Sequence, residues 1–531
     1  MRPRAAAAAL LVVVGCIVVG GCGAPVPRAS QVPPRVAGAV ALGPVAADEP
    51  VTFVLAMRLH DRARLETLVA AGTTIAPDAF AAAFAPSEAD YARVVAALRA
   101  QELDVFDSPT RSTITVRGRA ADIESALGTS LWRYADLDGE FRAPGELWLA
   151  AELQAFVAGA AGLDDATRWW SHRAAPGTPV AQPNGASGSL EPADLRAQYN
   201  LPANLGDGET IAILGTGLPP SDADIDGWVQ KFSLPVNRAQ QYAQVLVGGP
   251  NRDAPGLAQL EYGENLLDAD MALAIAPHAK VVHVLTATNA PGLFSDGIVY
   301  IVNQLPAAHQ VSVSFGTCER VAAGEMLVMN QLFLQAKAEG QQWFFASGDN
   351  GTDGCRDGKG NKVLSVNWPA SSPYVLSVGG TELDAANANA EIAWPDGGGG
   401  QSEIIDKPAF QTAATPADRV RDEPDVAAIA GVPGVAIYGQ GMLFAGVQGT
   451  SVATPIWAGI WALLDEAKGN HAGFTNGAER LYQLGAASSP ALRDVTVGGI
   501  GGTTPGYPAK AGWDFATGWG APDVSALVTA W

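Results

Sequence analysis

Six histidines serve 531 residues, and none of them (His60, His172, His278, His283, His309, His471) stands in the His-Gly-Thr-His type of context that offers an imidazole to a serine. A Ser-His-Asp arrangement is therefore short of its usual base. Positive charge is scarce as well: 33 Lys and Arg face 54 Asp and Glu, for a net charge of −21. Nucleic-acid phosphates would be repelled by such a surface, which excludes nucleic acid as a partner. Of four cysteines, Cys16 and Cys22 fall in the first 24 residues, leaving Cys318 and Cys355. No internal repeat and no coiled-coil heptad run is present. The uncharged run from Ala5 to Gly21 is too short and too early to read as a membrane span.

What is there begins with Gly449-Thr450-Ser451-Val452-Ala453-Thr454-Pro455, a turn feeding an apolar helix that places the Ser451 hydroxyl where a nucleophile would stand. Upstream, Thr210 to Gly217 reads as a buried strand ending in glycines; a subtilisin-like hydrolase would carry an aspartate where this chain has Gly215. The substitute base is sought among carboxylates. Glu264 and Asp268 are four residues apart in a helical pattern and stack on one face. Like charges that close raise one another's pKa, so the pair can share a proton in mild acid and still offer an ionised oxygen. The same spacing is common on solvated amphipathic helices and carries little alone. Phe344 to Gly351 reads as a buried strand running into a Gly-rich turn with Asp349 at its tip. A protonated carboxyl there can donate to a developing oxyanion, although a turn aspartate after a strand is ordinary in itself.

Taken together these residues resemble the sedolisin family, the serine-carboxyl peptidases. Glu264 and Asp268 fall on its Glu-x-x-Leu-Asp signature, Asp349 on Ser-Gly-Asp-x-Gly, and Ser451 on Gly-Thr-Ser-x-x-x-Pro, in the family's order. Val313 to Gly316, Trp368 to Val375, Val378 to Thr381, Gly397 to Gly400 and Glu423 to Val426 match too, and the resemblance runs from about Glu49 to Trp531. It implies a serine-type endopeptidase acting in acid. Ser451 would be the nucleophile, Glu264 the general base and then acid, Asp268 its support, and Asp349 the group facing the oxyanion. The acidic surface agrees, because self-repulsion falls as carboxylates neutralise. The alternative is a catalytically silent exported binding protein on the same fold.

Near the C-terminus, Asp494 and Asp514 flank a loop rich in glycine, and paired carboxylates with inward carbonyls suit calcium. The resemblance implies one structural calcium held by Asp494 and Asp514 carboxylates and by the Val495, Lys510 and Gly512 carbonyls. Lys510 departs from the glycine common in the family. At the front, Arg2 and Arg4 precede the apolar run, as in a secretory leader. Cys16 and Cys22 each follow small residues, as a lipidation site would. Residues 1–24 thus read as a signal peptide of simple or lipoprotein type, and the location as secreted or extracytoplasmic, with any membrane attachment through that lipid. Export permits a disulfide, and a Cys318–Cys355 bridge would fasten the turn that presents Asp349; two free thiols are the other possibility.

The expected organisation is α/β: a subtilisin-like, doubly wound parallel sheet catalytic domain over residues 190–531, preceded by a small α+β, ferredoxin-like prodomain over residues 49–165. Val51 to Leu59 and Ser112 to Val116 read as strands, Ser87 opens a helix carrying Val94, Val95 and Leu98, Ala121 to Leu127 is helical, and Leu131 to Arg142 is a hairpin. The unit resembles the family's propeptide and would act as an intramolecular inhibitor. Residues 25–48 read as a Pro-rich linker, and 166–189 as a flexible, cleavable activation linker. Apolar strands at Thr210 to Leu214, Lys280 to Leu285, His309 to Ser314, Gln342 to Ala346 and Tyr374 to Val378 alternate with helices, as a parallel sheet covered on both faces requires. Protein or peptide substrates and a monomer are expected.

Overall fold

The computed structural model describes residues 34–531 apart from 137–138, 146–153, 174, 181–187, 357–360 and 503–505. The leader, with Cys16 and Cys22, lies outside the described residues.

The catalytic unit is built on one sheet of eight strands. Tyr242–Val247, Lys280–Thr286, Thr210–Thr216, Gln310–Val313, Gln342–Ala346 and Leu376–Asp384 pair in that order, all parallel. The last of them also takes Asn387–Ala393 antiparallel and Val426–Ile429 parallel. Alternate residues of a single strand feed opposite cores, as the two-residue period of a strand demands. Ile211 and Ile213 pack with Met271, Leu273, Val452 and Ile456 on one side. Ala212 and Leu214 pack with Phe294, Ile298 and Phe333 on the other. The first core is roofed by the helices Pro255–Ile275 and Thr450–Lys468, the second by Pro291–Gln304 and Ala323–Ala338. Because the strands are parallel, their carboxyl ends gather at one edge, where loops after Val313 and Ala346 meet the start of the Thr450–Lys468 helix.

The prodomain sheet has the order Asp104–Asp107, Thr113–Arg119, Pro50–Met57, Val157–Ala161, antiparallel throughout. Numbered along the chain this is 2-3-1-4, with helices after the first and third strands, the ferredoxin-like topology expected. Val51, Phe53, Leu55 and Met57 bury against the prodomain's own Val94, Leu98 and Ile123. Val54 and Ala56, pointing the other way, join the catalytic unit's second core. The sheet's open face is thus filled by the helices Pro291–Gln304 and Ala323–Ala338. Polar contacts fix the register: Arg117 and Thr115 donate to Asp296 at 2.7 and 2.9 Å, and Gln331 donates to the Met57 carbonyl at 2.8 Å.

Two expectations about linkers need correction. Within the Pro-rich segment, Val40–Pro44 is a strand paired with Leu131–Asp136, itself paired with Gly139–Pro144, so the hairpin is a three-stranded sheet and the folded unit begins before Glu49. Its side chains are largely exposed, Val40 at 68% and Leu42 at 51%, so no alternation of apolar and polar residues marks it. The activation linker is also partly strand. Trp170–Ser171 pairs with Phe315–Cys318, and Ala175–Val180 pairs with Met442–Gln448, both antiparallel. The edges it joins lie more than a hundred residues away in sequence, which local composition does not register.

The two units approach closely at Gly292, where a Cβ would stand 2.1 Å from the Thr52 carbonyl oxygen. Gly292→Ala should lower the stability of the precursor by about 1–3 kcal/mol in denaturant unfolding, as overpacking of a fixed backbone contact does. An unchanged midpoint would show that the interface is looser than described.

Candidate active site

Ser451 lies in the first turn of the Thr450–Lys468 helix, wholly buried. The preceding Gly449 has φ of +141°, and a Cβ on it would come within 2.2 Å of the His172 carbonyl oxygen and 2.8 Å of Asp349 Oδ2. Only glycine leaves room for those two oxygens side by side. The Ser451 Oγ donates to the Ser314 carbonyl at 3.4 Å, and the Ser451 N–H donates to the His172 carbonyl at 3.1 Å.

Glu264 and Asp268 stand four residues apart on the Pro255–Ile275 helix, and both are fully buried. They do not form a solvated stripe. Glu264 takes no hydrogen bond among the described residues and faces the Arg173 guanidinium, with Nε 3.8 Å from Oε2. Burial pushes its carboxyl up to about 7, while Arg173 and the Ser451, Ser171 and Ser314 hydroxyls beside it favour the ionised form. Asp268 accepts from Ser314 Oγ at 2.6 Å through one oxygen; the other has no partner. Burial first, and the Glu264 charge second, hold it well above the ordinary carboxylate range.

Asp349 follows the Gln342–Ala346 strand, at the carboxyl edge of the sheet. Its Oδ1 accepts from the Thr450 N–H at 2.8 Å and Thr450 Oγ1 at 2.7 Å, which leaves Oδ2 buried and unpartnered beside Gly449. Burial pushes this carboxyl up to about 8, against the pull of the two Thr450 donors. The loop is fastened by the Cys318–Cys355 disulfide, Cα atoms 4.8 Å apart. Closing a segment of 37 residues stabilises the fold by about 4 kcal/mol in the chain-entropy picture.

Through this cluster runs the linker itself. His172 donates its N–H to the Ser314 carbonyl at 2.9 Å and receives the Ser451 N–H on its own carbonyl. Residues before it pair with one edge and residues after it with another, so the backbone is extended across the cleft. The His172 ring is buried against Gly316, whose Cβ would stand 2.4 Å from Nε2, and burial pushes the imidazole down to about 4. The cleft has a volume of about 810 Å³, lined by Ser171, Arg173, Asp349, Asn350 and Asp396 among others. His172, Arg173, Ser314 and Thr450 are the contacts that sequence reasoning did not single out; Ser314 and Thr450 lay inside quoted motifs, whereas His172 and Arg173 lay in a stretch read as linker.

The missing triad members are accounted for. The space a side chain would take at Gly215 is filled by Asn265 Oδ1 and His283 Nε2, with Asn265 donating to the Thr216 and Leu218 carbonyls. His283 meets the Tyr242 hydroxyl at 3.2 Å and His278 meets Asp207.

Residues 37–165 match the pro-kumamolisin activation domain and residues 206–520 the subtilase family. The chain is 30% identical to sedolisin of Pseudomonas sp. (strain 101), over 91% of this chain and 87% of that one, and 30% identical to kumamolisin of Bacillus sp. (strain MN-32), over 91% and 92%. The chain belongs to the sedolisin family. It is a serine-type peptidase with a propeptide. A solved structure of Pseudomonas sedolisin, a serine-carboxyl proteinase complexed with pseudo-iodotyrostatin, superposes with a TM-score of 0.56 at 28% identity, over 64% of this chain and 97% of that one. Among the described residues no helix is long and apolar enough to cross a membrane.

At the C-terminal loop, Asp514 is buried, with Oδ1 accepting from the Ala516 and Thr517 N–H groups and Oδ2 from the Lys510 N–H at 2.8 Å. Asp494 accepts from the Gly512 N–H at 2.8 Å. Of the expected set, Lys510 and Gly512 meet the Asp514 and Asp494 carboxylates through their N–H groups, and Val495 packs with Ala393, Ile500 and Ala516; residues 503–505 of the loop lie outside the described residues.

Buried carboxyls whose pKa is raised in the folded state bind protons more tightly there than in the unfolded chain, so their contribution to stability is complete in acid and is lost as pH climbs. With Glu264 at about 7 and Asp349 at about 8, the melting temperature of a Ser451→Ala precursor should fall between about pH 4.5 and pH 8. A melting temperature that rises across this window would contradict the burial described.

Proposed function

We propose that the chain is an exported, acid-acting serine-carboxyl endopeptidase, made as a zymogen that first cuts its own linker at the His172–Arg173 bond. The observation that carries the reading is the His172 carbonyl, held between Ser314 and Ser451 in the manner of an extended substrate with its oxygen beside Asp349.

In the mechanism this geometry supports, Ser451 Oγ adds to the His172 carbonyl carbon as Glu264 takes the hydroxyl proton. Negative charge on the carbonyl oxygen is met by the Ser451 N–H and by the proton on Asp349 Oδ2. Glu264 then returns its proton to the Arg173 nitrogen as the C–N bond breaks, leaving the His172 acyl group on Ser451. Water then adds to the acyl carbon as Glu264 takes its proton, and Glu264 passes that proton to Ser451 Oγ as the ester bond breaks, freeing the His172 carboxyl. Asp268 accepts from Ser314 and holds its proton more tightly than Glu264 does, so Glu264 is the member of the pair that ionises to serve as base. Until cleavage, the Arg173 guanidinium covers the base.

The leader at Arg2 to Gly21 supports export, with lipid attachment at Cys16 or Cys22 as one form of it. The Asp494–Asp514 loop fits one calcium ion: its donors are hard oxygens, and burial pushes the Asp514 carboxyl up, which a bound cation would reverse. The ion would brace the loop and takes no part in the steps above. Chelation of calcium should lower the melting temperature of the precursor, and Asp494→Ala should abolish that response; equal melting with and without calcium would remove the ion from the account.

Incubating purified precursor at about pH 3 to 5, where a carboxyl at about 7 leaves only a small fraction of Glu264 ionised to act as base, should yield a new N-terminus at Arg173. Ser451→Ala should abolish it, Glu264→Gln should come close to doing so, and Asp349→Ala should slow peptide hydrolysis about 100- to 1,000-fold. Maturation by pure Ser451→Ala would overturn the nucleophile, and absence of any cleavage in the wild type would favour a silent binding protein.

A further inference from the structure

At the opposite end of the sheet from Ser451 lies a second cluster of ligating groups. Glu209 immediately precedes the Thr210–Thr216 strand, His309 immediately precedes Gln310–Val313, and Asp465 lies in the last part of the Thr450–Lys468 helix. Fourteen residues of helix put Asp465 about 21 Å from Ser451 along the axis. We propose that Glu209, His309 and Asp465 bind one divalent cation of the zinc class.

Each residue brings a ligand atom within 4.8 Å of the others, and the three are 3%, 8% and 0% exposed. Zinc binds nitrogen and carboxylate oxygen at about 2.0–2.2 Å in a tetrahedral shell, so donors on one ion stand about 3.4 Å apart, and an inward rotation of the side chains by roughly 1 Å completes the set. The surroundings also ask for a cation. No lysine or arginine pairs with either carboxylate among the described residues; Gln310 Nε2 is shared between them, at 3.3 Å from Glu209 and 2.5 Å from Asp465. Asp465 Oδ1 and Gln310 Oε1 are buried with no hydrogen-bond partner, an arrangement that costs free energy unless a proton or a cation occupies the space between.

The donor set selects the metal. Calcium and magnesium take oxygen alone, whereas an imidazole with two carboxylates suits zinc and its neighbours. His471 Nδ1 meets Glu209 Oε1 at 2.7 Å from the solvent side and so orients that ligand, as outer hydrogen bonds at metal centres do. The site would tie the start of the strand leading to Ser314 to the far end of the helix that begins beside Ser451. It stands on the fold and not on the peptidase reading, whose failure would leave it untouched.

The test uses the full-length Ser451→Ala precursor, stripped of metal, resupplied with calcium and dialysed against zinc chloride at neutral pH, with metal counted by atomic emission. One zinc per chain is expected. Asp465→Asn and His309→Gln should each lose it, His471→Gln should weaken it about tenfold, and Asp494→Ala should keep it. Absence of stoichiometric zinc, or zinc retained by both Asp465→Asn and His309→Gln, would overturn the proposal. Should those variants fail to fold, zinc-edge absorption on the Ser451→Ala precursor decides: a shell with imidazole and carboxylate supports the site, and a shell without imidazole removes it.

Discussion

A carboxyl group taken out of water keeps its proton, because burial penalises the charged form while the neutral form loses little. The candidate active centre depends on this constraint at three positions. Asp268 and Asp349 have one oxygen satisfied and one left bare, and Glu264 has neither satisfied by a hydrogen bond. A bare oxygen on a buried, protonated carboxyl is a donor waiting for an acceptor. In the proposed mechanism, carboxyls in differing environments do what an imidazole would usually do: Glu264 lies beside a cation and three hydroxyls, and Asp349 lies beside the backbone of the serine helix.

The fold supplies the burial. The helices Pro255–Ile275 and Thr450–Lys468 pack on the same side of the sheet, so the pair Glu264 and Asp268 and the start of the serine helix are buried on that side together. The prodomain docks on the other side of the sheet. Its sheet seats on the helices Pro291–Gln304 and Ala323–Ala338, and the chain leaving it is led across the cleft between two edge segments. The linker's path is thus fixed at both ends by main-chain pairing, and the Arg173 guanidinium comes to face Glu264.

Much of this was legible along the chain, and the residues show why. Thr210–Thr216 and its parallel neighbours are continuous apolar runs because both faces are covered, and such runs stand out. Glu264, Asp268, Asp349 and Ser451 belong to short signatures in which a helix spacing or a turn sets the geometry, so local sequence carries their arrangement. His172 and Arg173 were invisible for the opposite reason: their segment is rich in Pro, Gly and Ala, and its order comes from partners at Phe315 and Val447 that no local pattern names. Val40–Pro44 was missed because an exposed edge strand shows no alternation. Glu209, His309 and Asp465 are scattered over more than 250 residues and meet only once the sheet is built.

The central claim, that Asp349 holds its proton near neutrality through burial beside Thr450, is tested most directly by difference infrared titration of the Ser451→Ala precursor against the same protein carrying Asp349→Asn. The account predicts a protonated-carboxyl carbonyl band that persists to about pH 8 and is absent from the Asp349→Asn protein. A band at this position that disappears in the ordinary carboxylate range, near pH 4, would contradict it.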